Sequence, residues 1–422
     1  MRIAVIGSGG REHAILWRLS RDIEPHTLFA LPGNGGTTDC AETISAQIDD
    51  IPLLLHTIRG LSPDLVVVGP ETPLAAGIAD RLFGDHIPCF GPVAAAARIE
   101  ASKVFAKQLM KANGIPTADW EVFDDYQNLE RFVKSQPEKN DWVVKADGLA
   151  AGKGAFVCNS MAEVFRHAHE LLVEHKLDAA GRRIVLERKL TGREVSALYW
   201  CSGIHYQALP AAQDHKRAED ADQGPNTGGM GSYCPAVHLT RDQQKLVEDR
   251  VVAPTLQALA EQGSPYRGIL YVGLMLTPIG PQVIEFNCRF GDPETQVILP
   301  VWGGAFGKTL LACASGEPIS QEAVSTESTQ AAVCVVLAAE GYPDVYRKGI
   351  PLHDIPETVN AFVFHAGTAR TRDGLISTGG RVFNAIGIGH TIGQARERAY
   401  NLAAKLLSPG LRFRSDIAQG VV

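Results

Sequence analysis

The sequence predicts a chain of several α/β and α+β domains: a parallel α/β sheet at the N-terminus, a central region of short strands, and a small α+β domain at the end. Three observations predict this. With 422 residues, the chain exceeds one ordinary core and calls for two to four domains around a cleft. Over residues 2–92, apolar strand-like runs alternate with helical stretches, the pattern of parallel strands joined by crossover helices. Beyond residue 103 the pattern changes to short strands separated by polar and glycine-rich loops.

In order, residues 3–6 read as a strand and 11–21 as a helix, then Leu65–Val68 as a strand and 74–83 as a helix. The pairs Gly69-Pro70 and Gly91-Pro92 stop strands and mark loops at one sheet edge, where ligands of such folds bind. Residues 101–113 read as one helix ended by Gly114 and Pro116. Strands are expected over 142–145, 154–158, 184–187 and 194–200, followed by a polar stretch over 213–232 and a helix over 242–262. A hairpin of 269–276 with 282–287 puts Glu285 and Asn287 on one strand face, because strand side chains repeat every second residue. Strands over 331–338, 361–365 and 375–383 and a helix over 391–406 read as a separate small α+β domain.

A formal net charge of -7 offers no basic surface for nucleic acid. No apolar run approaches membrane-spanning length, and Met1 leads directly into a strand without a signal-peptide layout. The eight cysteines are scattered, without a C-x-x-C pair, which argues against a zinc site or disulfide framework and for a reducing, cytoplasmic setting.

Several motifs suggest phosphate chemistry. Gly7-Ser-Gly9-Gly10 lies between a strand and a helix, where backbone amides bind phosphate, but Glu12 stands where a dinucleotide fingerprint needs a small residue. Gly307-Lys308-Thr309 imitates the end of a phosphate-binding loop, but Trp302 occupies the required upstream glycine position. The strongest signal is Lys145-Ala-Asp-Gly148-Leu-Ala-Ala-Gly152-Lys153-Gly154. There a strand delivers a lysine to a loop whose amides can close over phosphoryl oxygens. Lys103 lies upstream, Glu187 and Glu194 follow, and Glu285, Asn287, Arg289, Asp292 and Glu294 close the series. A carboxylate and an amide oxygen alternating on a strand are hard ligands suited to magnesium.

The order of these motifs resembles the ATP-grasp superfamily, and over essentially the full chain it is similar to the phosphoribosylamine–glycine ligase family. The resemblance is carried by residues 5–13, 32–35, 68–71, 145–154, 213–217, 224–231 and 285–296, with 365–368 and 379–382 extending it to the last domain. It implies an N-terminal domain over 1–102, an ATP-grasp domain over 103–327 with a mobile lid near 118–190, and a C-terminal domain over 328–422. It also implies a monomer that joins glycine to 5-phosphoribosylamine at the expense of ATP, without nucleic-acid or membrane partners.

By this resemblance Glu285 and Asn287 hold Mg2+ or Mn2+, and Lys103 and Lys145 bind phosphates under the loop Gly148, Gly152, Lys153 and Gly154. Glu187 to Leu190 take adenine through the backbone, Glu194 takes the ribose hydroxyls, and Arg217 and Asn226 approach the nucleotide. Arg289 stabilises the carboxylate and acyl phosphate, while Asp214 and Lys216 approach the reacting groups with Thr227, Gly228 and Gly229. Gly9, Gly10, Asn34 and Glu71 face the ribose phosphate. The strand over 270–275 lacks the metal-binding acid found in many ATP-grasp enzymes. An ATP-grasp transformylase or carboxylase of purine synthesis is the alternative, which the 213–231 region disfavours.

Overall fold

Strands Glu42–Thr43, Thr27–Pro32, Arg2–Gly7, Leu65–Val68 and Cys89–Phe90, in that spatial order, form an all-parallel sheet. The computed structural model describes residues 1–137, 141–150, 152–320, 324–325 and 329–421. Parallel neighbours need crossover connections, and the helices Gly10–Leu19 and Ile51–Leu61 supply two of them. Ile3, Ala4, Val5 and Ile6 are all fully buried because both sheet faces are covered, which explains their unbroken apolar run. Strand order reverses at Arg2–Gly7, so the loop over 7–10 lies at the switch point where such sheets bind ligands.

Two expected helices are each broken in two. Residues 74–83 divide into Glu71–Ala75 and Ile78–Gly84 at Gly77, whose φ of +83° ends the first helix. The single helix expected over 101–113 is Ala94–Ala101 followed by Lys103–Ala112. Between them Ser102 is extended, and its Oγ accepts from Phe105 N at 3.2 Å. A capping hydroxyl satisfies an orphan amide of the second helix, which outweighs the local preference for continuing the first.

Strands Trp120–Phe123, Ile184–Arg188, Trp142–Ala146 and Ala155–Cys158 form a four-stranded antiparallel sheet, the lid. Helices Tyr126–Lys134 and Met161–Leu172 pack on it through a core of its own, including Leu129, Trp142, Val164 and Leu186. A second antiparallel sheet follows, ordered His205–Ala208, Arg193–Ser202, Arg267–Thr277 and Gly280–Asn287. Its apolar faces share two cores with the N-terminal sheet.

The last large sheet is not built from the tail alone. Its order is Gln213–Asp214, Gly231–Cys234, Ala331–Ala339, Arg381–Gly389 and Ala361–His365, so two strands come from the polar stretch before it. Strands this short carry no readable periodicity, and they pair onto the sheet of the small C-terminal domain. The expected limit at 327/328 lies outside the described residues.

Ser102 also donates to Asp147 Oδ1 at 2.8 Å, linking the cap to the lid. Ser102→Ala is expected to cost about 1 to 2 kcal/mol, read as a lower urea midpoint at unchanged slope; an unchanged midpoint would show that the cap does not stabilise this junction.

Candidate active site

The hairpin Arg267–Thr277 with Gly280–Asn287 places Asn287 opposite Tyr271 and Glu285 opposite Gly273. Next in register, Val283 faces Leu274, so Ile284 has no partner and forms a bulge. Its carbonyl leaves the ladder and accepts from Lys145 Nζ at 3.0 Å. The same ammonium is 3.0 Å from Glu187 Oε2, and Lys107 Nζ approaches that oxygen at 3.1 Å. Glu187, expected to act through its backbone, thus uses its buried side chain to gather two lysines; half-buried Leu190 follows its strand.

Asp147 fixes the helix that carries Lys103. Its carboxylate accepts from Ser102 Oγ, Val104 N at 2.9 Å and the Arg183 guanidinium, while Lys103 N donates to its backbone carbonyl at 3.0 Å. In the loop that follows, Gly148 N donates to Ala180 O, Lys153 is exposed, and Gly154 O accepts from Ala146 N. Gly152 has φ +79°, and a Cβ there would lie 3.5 Å from Thr227 O. The lid loop therefore lies against residues 227–228, and Asn226 Nδ2 reinforces the contact by donating to Ala155 O at 3.2 Å.

Beside Glu285 lies a pocket of alternating charge. Lys216 Nζ is 3.1 Å from Glu194 Oε2 and 3.6 Å from Glu285 Oε1. Burial alone would raise the Glu285 pKa, but Lys216, Lys103, Lys145 and Arg289 hold it at about 2. Asp214 behaves oppositely: burial pushes its pKa up to about 8 against the pull of Lys216, with Glu294, Glu194 and Glu285 adding to the rise. Burial opposes the charge on Lys216, but Glu194, Asp214 and Glu285 raise its pKa well above the ordinary value. These fields favour an ionised Glu285 and a cationic Lys216, while burial and the three acids favour the protonated form of Asp214. Behind it, buried Glu294 accepts from Ser196 Oγ and Tyr271 OH, both at 2.9 Å.

Arg289 is clamped by two acids from the N-terminal region, with Nε 3.1 Å from Glu71 Oε2 and Nη2 3.0 Å from Glu100 Oε1. Nη2 also donates to Asn287 Oδ1 at 3.3 Å. Burial would raise the Glu71 pKa, yet Arg289 and Arg11 hold it at about 2. Glu71 was expected to face a ribose phosphate; its carboxylate instead sits on Arg289. Asn34 Nδ2 donates to Ser8 O, Gly9 O and His365 O, bracing the loop against the C-terminal region. Gly9 N donates to Glu12 Oε2 at 2.6 Å, so the helix caps its first turn with its own carboxylate. Gly10 packs against Gln296 and Asn384, where a Cβ would not fit.

Thr227 Oγ1 donates to Lys216 O and accepts from Gly229 N, closing the loop on the charged pocket. From the C-terminal region, Arg381 Nη1 donates to Gly228 O at 2.5 Å and Tyr342 OH accepts from Gly228 N at 3.1 Å. Arg217 is half-buried and its Nη1 donates to Gly224 O at 2.7 Å. Sequence reasoning missed Lys107, Glu100, Asp147, Arg381 and Tyr342. One signal was present for Lys107, which stands four residues after Lys103 and so shares its helix face.

Among the described residues, no group of three or more His, Cys, Asp or Glu is arranged to hold a metal. Glu285 and Asn287 still suit a magnesium-like ion, which binds through one or two carboxylates and fills its shell with phosphate and water. An acid held ionised beside an amide oxygen is the donor chemistry such an ion needs.

Two antiparallel sheets enclosing a cleft, with lysines from the lid and helix converging on an acid-bearing hairpin, define an ATP-grasp enzyme, a class that uses ATP and a divalent metal ion. Family models match residues 1–100, 101–295 and 332–420, described as the N, ATP-grasp (A) and C domains of phosphoribosylglycinamide synthetase. The chain belongs to the phosphoribosylglycinamide synthetase family. It is 39% identical to the phosphoribosylamine–glycine ligase of Rhodopirellula baltica, with 99% of this chain and 97% of that protein covered. The enzyme of that name from Escherichia coli O157:H7 is also 39% identical, with 99% and 98% covered. The human trifunctional purine biosynthetic protein adenosine-3 is 42% identical over 99% of this chain, which spans only 41% of that longer protein. The crystal structure of phosphoribosylamine–glycine ligase from Thermotoga maritima superposes with a TM-score of 0.87 at 35% identity, covering 99% of this chain and 100% of that one. The biotin carboxylase domain of a Hydrogenobacter thermophilus 2-oxoglutarate carboxylase shares the fold alone, at 16% identity and a TM-score of 0.74 over 98% of this chain and 91% of that one.

Because the folded Glu71 pKa is about 2 against an ordinary 4.5, its ion pair stabilises above pH 4.5 and that stability is lost as pH falls toward 2. Glu71→Gln is expected to unfold more easily than the parent at neutral pH, by roughly 3 kcal/mol, and the gap should close on acidification. A constant gap in urea unfolding at both pH values would refute the pairing.

Proposed function

We propose that this chain makes the amide bond between glycine and 5-phosphoribosylamine, converting ATP to ADP and phosphate through glycyl phosphate. The observation that supports this most is the convergence of ionised Glu285, Lys216, Lys145 and Arg289 at one end of the hairpin. That array suits charge neutralisation around a phosphoryl group, the main requirement for activating a carboxylate by phosphorylation.

In this reading a glycine carboxylate oxygen attacks the γ-phosphorus and ADP departs. The amine of phosphoribosylamine then attacks the acyl carbon, the carbon–oxygen bond to phosphate breaks, and the new amide nitrogen loses a proton. Glu285 and Asn287 would hold Mg2+ or Mn2+, which when bound neutralises charge on the nucleotide phosphates. Lys103 and Lys145 take phosphate oxygens, and the amides of Gly148, Gly152, Lys153 and Gly154 close over them. The backbone over 187–190 receives adenine, with Glu194 on the ribose and Arg217 and Asn226 bordering the nucleotide. Arg289 orients the glycine carboxylate through its planar fork, and Glu71 and Glu100 hold that fork still. Asp214 receives the glycine ammonium and releases its proton as it does so, with Lys216 screening it from Glu285. Residues 227–229, 9–10 and 34 border the phosphoribose. The domains divide at 1–102, 103–327 and 328–422, with the lid near 118–190, and the protein works as a cytoplasmic monomer. Eight free thiols suit a reducing compartment.

ADP release is expected to require glycine and freshly generated phosphoribosylamine together; release indifferent to glycine would leave the nucleotide site standing and remove the substrate assignment. Glu285→Ala should lower turnover on the order of a hundredfold with the circular dichroism spectrum unchanged, and wild-type turnover at limiting metal would exclude it as a ligand. Asp214→Asn should raise KM for glycine on the order of tenfold or more while leaving KM for ATP nearly constant. Equal effects on both substrates would contradict its role.

A further inference from the structure

Lys107 is a buried cation with no part in the roles above. It is 2% exposed on the helix Lys103–Ala112, one turn after Lys103. Its Nζ donates to Thr117 Oγ1 at 2.7 Å and lies 3.1 Å from Glu187 Oε2, the oxygen that Lys145 approaches at 3.0 Å. Thr117 Oγ1 donates to Val283 O at 2.6 Å and Lys145 Nζ to Ile284 O at 3.0 Å, so both lysines are tied to successive carbonyls of the hairpin strand.

A buried ammonium is costly unless paired, and one carboxylate is matched by one cation. With Lys145 already on Glu187, a second lysine adds desolvation without a second counter-charge. Two ammoniums share the one carboxylate they touch, which leaves the cluster with a surplus positive charge at contact distance; ionised Glu285 is a further acid in the field of Lys145. Removing Lys107 would leave Lys145 and Glu187 as a neutral pair.

We propose that Lys107 is a positioning residue for nucleotide binding: by sharing Glu187 it frees the charge of Lys145 for an anionic polyphosphate. This rests on the reading that Lys145 contacts nucleotide phosphates. Burial pulls the Lys107 pKa down to about 8, with Glu187 resisting and Lys145 adding to the fall; these two are the ionisable groups that act on it. The surplus charge is therefore complete below that pH and fades as pH rises through it.

The test measures the dissociation constant of a fluorescent ATP analogue with the full chain from neutral to alkaline pH. Wild type should bind more weakly as pH rises through about 8, and Lys107→Arg, which stays charged, should lose that dependence. Lys107→Met should weaken binding on the order of tenfold at neutral pH. Adding Glu187→Gln to Lys107→Met should recover much of the loss, because Lys145 again lacks a carboxylate in contact. Undiminished binding by Lys107→Met, or no recovery in the double variant, would overturn the proposal. Should Lys107→Met fail to fold, Lys107→Gln takes its place, and undiminished binding by that variant would overturn the proposal. Lys145→Met separates the two layers. If it binds as wild type, the reading of the nucleotide site falls and the proposal with it; if it weakens binding while Lys107→Met does not, only the proposal falls.

Discussion

Arg289 is held between Glu71 and Glu100 at 3.1 and 3.0 Å, and this clamp fixes the N-terminal region onto the end of the central hairpin. A half-buried guanidinium still needs its charge matched, and a single acid would leave part of its fork unpaired. The partners come from positions 71 and 100, so the charge is satisfied only when the parallel sheet and the hairpin are both folded and docked. Cys288 N donating to Glu100 Oε2 at 2.7 Å adds a backbone tie at the same point. The cleft floor is therefore set by the domain packing itself, and Asn287 inherits its place from the same guanidinium.

The lid is attached differently. Its apolar core contains only its own residues, whereas the N-terminal, central and C-terminal sheets share cores with one another. What joins lid to body in the cleft is polar: Lys145 on the Ile284 carbonyl, Asp147 on Ser102, Asn226 on Ala155. Polar ties exchange readily with water or ligand oxygens, while shared apolar cores do not. The lid is thus a separately cored body, and Gly152 against Thr227 is where its loop meets residues 227–228.

Much of this was legible in the sequence because it rests on periodicity and local chemistry. The buried parallel strands, the lysine-to-glycine loop and the alternation of Glu285 with Asn287 each follow from a run of consecutive residues. What stayed hidden depends on distance in the chain. Glu71 read as a loop acid because nothing near it announces Arg289, more than two hundred residues later. Lys107 carries no local signal beyond its spacing from Lys103, and only the lid strand carrying Glu187 makes it a buried ion. The Ser102 break was written in a capping hydroxyl, yet the helical pattern on both sides masked it. Strand Gly231–Cys234 was beyond reach, since four residues in a polar stretch acquire strand geometry only by pairing with Ala331–Ala339.

The acids of the cleft show why placement, and not residue type, decides chemistry here. Glu285 and Asp214 are both desolvated and both near Lys216, but one is held at about 2 and the other at about 8. Glu285 sees Lys103, Lys145 and Arg289 as well, so cations outnumber the acids around it. Asp214 has one cation and three carboxylates, Glu294, Glu194 and Glu285, in its field. The cations around Glu285 therefore favour its ionised form, and the carboxylates around Asp214 favour its protonated form. A shift of either strand by one residue would exchange these surroundings. The grip of Arg381 and Tyr342 on Gly228 holds the loop behind Asp214 in register from the C-terminal region, which makes the last domain a structural part of the cleft.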